Sequence, residues 1–135
     1  MTPEIDVAAY LSQVVDSLTE NTNLWYGCVL PPDDNVPELA AFVLLSGGEE
    51  PLAFADNQGT GSENKATVQV FVRGEKYKYP AAMALAREIY SALKYASISG
   101  YVECAPQQSA PIFLGLDKDG RPAISINYRL IYDED

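Results

Sequence analysis

The sequence predicts an α+β domain in which two helices cover a mostly antiparallel sheet and one long loop projects from it. Three stretches carry this expectation. Val68, Val70 and Val72 alternate with Gln69, Phe71 and Arg73, the period of two expected of a strand buried mainly on one face. Leu85, Ile89 and Leu93 then recur every four residues, with Ala82, Met83, Ala86 and Tyr90 widening the stripe, so a helix starting near Pro80 can lie across the valines. Finally, Ile124, Ile126, Tyr128, Leu130 and Tyr132 alternate with Ser125, Asn127 and Arg129, and face Ile112 to Leu116 across Asp117-Lys118-Asp119-Gly120 as a β-hairpin.

The remaining elements follow in order. Thr2-Pro3-Glu4 has the form of an N-cap, a first-turn proline and an acid matched to the helix dipole. Ile5, Ala8, Leu11, Val15 and Leu18 continue a helical stripe to about Leu18, and Asn21-Thr22-Asn23 breaks it. Leu24 to Leu30 reads as a strand whose Trp25-Tyr26 pair is expected to pack under a helix. Residues 31–35 form a loop, and Leu39 to Leu45 is a strand apolar enough on both sides to sit centrally. From Ser46 to Asn64 the chain is polar, holds four glycines and shows no period, which predicts a projecting loop. Ser99 to Cys104 is a short strand and residues 133–135 a solvated tail. The order is α-β-β-loop-β-α-β-β-β over a single domain spanning residues 1–135, with no internal repeat.

Composition narrows the function classes. The net charge of −10 is uneven: residues 1–64 hold eleven acids and no Lys or Arg, whereas the rest holds nine bases and eight acids. The first half therefore suits a surface that repels DNA or docks on a basic partner, although the same acids also serve simple solubility. Histidine is absent, which excludes Ser-His-Asp and Cys-His constellations within this sequence. Cys28 and Cys104 read as buried apolar residues rather than a disulfide. No apolar run approaches the roughly 20 residues of a membrane span, and a secretory leader is not expected from MTPEIDVAAYLSQ.

No motif carries catalysis, a cofactor or a metal. Asp117 to Gly120 lacks the further oxygen ligands of a calcium loop and is expected to be a turn whose aspartates bind backbone amides. Gly59-Thr60-Gly61-Ser62 lacks the lysine and the following helix of a phosphate loop. Two stretches look like contact surfaces instead. Leu52-Ala53-Phe54 is an apolar island in the long loop, expected to dock on its own domain or on a neighbouring subunit. Arg73, Lys76, Tyr77 and Tyr79 mix bases with tyrosines, a combination suited to a protein interface and, less well in so acidic a sequence, to stacking on nucleic acid.

The strand VQVFVRG, the tyrosine-containing turn into a helix ending IYSALK, and the hairpin PIFLGLDKDGRPAISINYRLIY together resemble the tail terminator (minor capsid, tail completion) proteins of long-tailed bacteriophages. The similarity covers most of the region from Lys65 to Tyr132 and is sharpest in PIFLGLDKDGRPAISINYRL. The resemblance implies a non-enzymatic virion protein, without cofactor, assembled in the host cytoplasm into a hexameric ring. Such a ring caps the head-proximal end of the tail tube, ends tube polymerisation and offers a joining surface to the head-tail connector. Leu52, Phe54, Arg73, Lys76, Tyr77 and Tyr79 become candidates for subunit and tube contacts. Asp33, Asp34, Glu38, Glu49, Glu50, Asp56 and Glu63 become candidates for an acidic channel or ring face through which DNA slides without specific binding. Another head-tail connector component, or an acidic DNA mimic that occupies a nucleic-acid-binding protein, remains an alternative.

Overall fold

The computed structural model describes residues 2–27, 37–53 and 62–134, with the backbone alone at 48–53, 62, 63 and 134. Helix α1 spans Pro3–Val14 and α2 spans Tyr79–Leu93; six strands complete the fold, β1 Leu24–Tyr26, β2 Ala40–Ala53, β3 Ser62–Arg73, β4 Glu103–Pro106, β5 Ile112–Leu116 and β6 Pro122–Glu134. They form one open sheet in the order β1-β2-β3-β6-β4, with β5 also on β6. Every pairing is antiparallel except that of β1 with β2. The expected α+β class is the one observed.

The core lies between the helices and one sheet face. Val68, Val70 and Val72 are fully buried and share a cluster with Leu85, Ile89 and Leu93 of α2, as their periodicities require. Ala41 and Val43 from β2, Ile124, Ile126 and Leu130 from β6, and Val7 and Leu11 from α1 complete it. Each large side chain so buried contributes about 1.5–3 kcal/mol. Tyr128 is 1% exposed, and its hydroxyl donates to the Tyr90 carbonyl at 2.7 Å, so the hydroxyl taken into this layer is satisfied. Cys104 is also buried, and burial pushes its thiol up to about 12, which leaves it protonated and inert. Cys28 lies outside the described residues.

Several boundaries differ from the sequence reading. Helix α1 stops at Val14 rather than near Leu18, yet Val15 and Leu18 stay buried through the following turn. Thr2 caps α1 with its backbone carbonyl, which accepts from the Ile5 and Asp6 amides, and not with its side chain. Trp25 does not go under a helix. It stacks on Phe42 at 5.6 Å, and Phe42 alternates with the core residues Ala41 and Val43, so both rings lie on the other sheet face. Phe71 continues this aromatic row, 6.3 Å from Phe42. Beyond it the face turns polar: Gln69 and Asn127 amides both donate to the Ser125 hydroxyl.

The largest correction concerns residues 46–64. They are not one loop: β2 runs on to Ala53 and β3 begins at Ser62, so only 54–61, outside the described residues, join them. The strands shift register between Leu45 and Gly48 and again between Glu49 and Leu52. Each bulge inserts a residue and flips the side-chain alternation, which hides a strand from any period-two reading. What projects is therefore a β-arm, flanked by the end of β6, whose Asp133 pairs with Glu63.

Candidate subunit interface

The turn after β3 and the turn between β5 and β6 are built as one piece. Gly74, buried where β3 gives way to the turn, donates its amide to the Pro122 carbonyl at 3.0 Å. A Cβ there would stand 2.5 Å from Ala82 Cβ and 2.9 Å from Pro122 Cγ, so only glycine lets strand, helix and hairpin approach this closely. Tyr77 has φ 59 and its amide donates to the Gly120 carbonyl at 2.8 Å. Gly120 is itself left-handed, φ +79, and a Cβ on it would lie 2.8 Å from the Tyr77 ring.

Asp117 organises the second turn, as its residue type led one to expect. Its Oδ1 accepts the Asp119 and Arg121 amides at 2.8 and 2.9 Å. The Arg121 amide is the main reason its carboxyl sits below the ordinary value of 3.8. Among the described residues no cluster of three or more potential metal ligands occurs.

This double turn presents an apolar patch. Tyr79 meets Phe113 edge to face at 4.9 Å, and Tyr77, Tyr79, Phe113 and Leu116 wall an open depression of about 430 Å³. Tyr77 is 71% exposed, Leu114 55% and Leu116 53%, so β5 shows water the kind of surface that a lone domain normally hides. Lys76, 5.5 Å from the Tyr77 ring, and Lys78, 3.7 Å from Glu75, edge the patch. Sequence reasoning singled out Tyr77, Tyr79 and Lys76 but missed Phe113, Leu114 and Leu116. The signal was present: IFLGL is apolar at consecutive positions, which an edge strand has no core to justify.

Arg73 is placed differently from its tyrosine neighbours. Its guanidinium donates to the Pro37 and Glu38 carbonyls at 2.9 and 3.3 Å and lies 5.8 Å from the centre of the Phe42 ring. Partial burial, then the nearby Arg121 charge, lower its pKa. It holds residues 37–38 against the aromatic face. Glu38 stands at this same end, 3.8 Å from Arg121. Glu49, Glu50, Leu52 and Glu63 belong instead to the arm, with Glu49 opposite Lys65 and Leu52 opposite Glu63 in the ladder. Asp33, Asp34, Phe54 and Asp56 lie outside the described residues. The acidic candidates among the described residues are thus divided between the two ends of the sheet.

Comparison with protein families decides the identity: the model described as Bacteriophage tail terminator protein matches residues 51–134, more than half of the sequence. The chain belongs to the bacteriophage tail terminator family. The matched region contains the end of the arm, β3, the double turn, α2 and the final hairpin, and so includes the apolar patch. This terminator is a structural protein of the phage tail, and its place is the virion. Its fold is similar to that of a chain in a solved structure described as the virion of a native gene transfer agent particle. That chain is 18% identical, with a TM-score of 0.56 over 95% of this chain and 84% of the other. Comparison with curated protein sequences gives no match. Among the described residues no helix is long and apolar enough to cross a membrane.

Proposed function

We propose that this terminator acts by self-association into a hexameric ring that caps the head-proximal end of the tail tube, halts tube growth and presents a surface to the head-tail connector. The observation that carries this reading is the exposed apolar surface of Phe113, Leu114 and Leu116 on the edge strand β5, with Tyr77 of the turn and Tyr79 at the start of α2 beside it. A monomer gains nothing from it, whereas repetition around an axis buries it once per subunit. The role is one of assembly, without bond-making. The tail tube protein and the connector are the other partners, and the acids of the arm are suited to a surface past which DNA slides without sticking.

The experiment is to add the purified protein to polymerising tail tube protein and to measure tube lengths by electron microscopy. Capped tubes of limited length, with a ring at one end, are the expected result. Tubes that grow as long as in its absence, with no density added at either end, would overturn the reading.

A further inference from the structure

We infer that neighbouring subunits are joined strand to strand, the outer edge of the β2 arm over residues 44–53 of one protomer pairing with β5 of the next. This rests on the ring reading and says how the ring is built.

Among the described residues the topology leaves these two strand edges without a partner. Strand β1 covers β2 only from Ala41 to Val43, and the Gly27 amide ends that ladder on the Val43 carbonyl. From Leu44 to Ala53 the outer side of β2 has no strand partner among the described residues. Across the sheet, β5 pairs with β6 on one side and with no described strand on the other. The two edges also lie at opposite ends, since β5 is level with residues 122–125 of β6 and the arm with residues 127–134. Unlike edges on opposite sides of one sheet make a head-to-tail contact, the kind that closes into a ring.

Side-chain chemistry favours this pairing over others. Leu45 on the arm is 51% exposed and matches the apolar β5, so main-chain ladder and side chains gain together. Strand β4, on the same side of the sheet as β5, is protected by Pro106, which donates no hydrogen bond. Charge gives direction. The arm brings together the positions Glu49, Glu50, Glu63 and Asp133, with Glu63 level with Asp133 and the base Lys65 level with Glu49 in the ladder. Around β5 stand Lys76, Lys78, Lys118 and Arg121; Lys78 and Arg121 pair with Glu75 and Asp119, and Asp117 accepts backbone amides, which leaves Lys76 and Lys118 as the bases there with no ion pair among the described residues. Two arms placed edge to edge would repel; an arm against β5 is attracted.

Charge reversal with complementation tests this. The double variants E49K/E50K and K76E/K118E reverse charge on the two edges, and each is expected to melt within a few degrees of the wild type. Each alone should need at least tenfold higher concentration to assemble, read by light scattering, and an equimolar mixture should recover the wild-type mass. If K76E/K118E folds poorly, Leu114→Glu mixed with E49K/E50K replaces it, with the same expectation; if E49K/E50K folds poorly, hydrogen exchange on the wild type decides. Hydrogen exchange reads the ladder itself: amides in 44–53 and 112–116 should slow on assembly. Wild-type rings with both variants unaffected, a mixture that stays dissociated, or unchanged exchange in formed rings would overturn the strand-to-strand contact alone. A wild type that never assembles, on tubes or in solution, would remove the ring reading with it.

Discussion

Replacing Gly74 by alanine tests whether the strand, the helix and the final hairpin meet as tightly as the structure has them. The new methyl would sit 2.5 Å from Ala82 Cβ and 2.9 Å from Pro122 Cγ, against about 3.5–4.0 Å for an unstrained carbon contact. Both obstacles are anchored to backbone, one in α2 and one at the start of β6, so neither can turn aside as a long side chain would. The cost belongs in the upper part of the overpacking range, about 2–3 kcal/mol. For a domain of this size, where 1 kcal/mol moves the melting point by roughly 3–5 °C, that is a loss of roughly 6–15 °C. Ala82→Gly alone costs about 1 kcal/mol of helix propensity. Combined with Gly74→Ala it removes the nearer clash, so the double variant should be more stable than the sum of the two single effects by about 1–2 kcal/mol. Thermal unfolding followed by far-UV circular dichroism on the four proteins measures this coupling. Strict additivity would show that Ala82 is not what excludes a side chain at residue 74.

Three further outcomes follow from the same geometry. Gly120→Ala must hold alanine at φ +79, costing about 1–2 kcal/mol, and must push away the exposed Tyr77 ring, so assembly measured by light scattering should suffer more than the melting point does; intact assembly would contradict the placement of Tyr77 in the interface. Tyr101→Phe removes the 2.6 Å bond from the hydroxyl to Asp6 that ties α1 to the segment before β4, and should cost about 1–2 kcal/mol in thermal unfolding, with an unchanged melting point counting against the tether. The Asp117 carboxyl is depressed in the folded state, so its contribution is complete above its ordinary value of 3.8 and is lost as pH falls through the lower folded value. The melting difference between wild type and Asp117→Asn should therefore be flat above about pH 5 and change only in acid; a difference that changes near pH 7 would contradict it.

Much of this fold was legible in the residues because two strong periods meet in it. The valines of β3 and the four-residue repeat of α2 each need a partner face, and they find one another. The β5–β6 hairpin was legible from alternation and from a turn whose glycine has positive φ. The arm was hidden because its two bulges break the alternation that betrays a strand. The parallel addition of β1 was hidden because pairing direction leaves no mark in three residues. Of the contact surface, Tyr77 and Tyr79 announced themselves by standing beside lysines in a turn. Phe113, Leu114 and Leu116 passed as half of a hairpin, since an apolar strand carries no sign of whether water or protein lies against it. Arg73 looked like its neighbours in sequence, but its strand position turns it onto the aromatic face.

The central claim is that this 14.7 kDa chain works as a closed assembly. Size-exclusion chromatography with light scattering, on the wild type alone and bound to tail tube ends, tests it most directly. A mass six times that of the chain, with Leu114→Glu shifted to the single-chain mass while still folded, is the result expected. A single-chain mass at every concentration, with no density on tube ends, would contradict it.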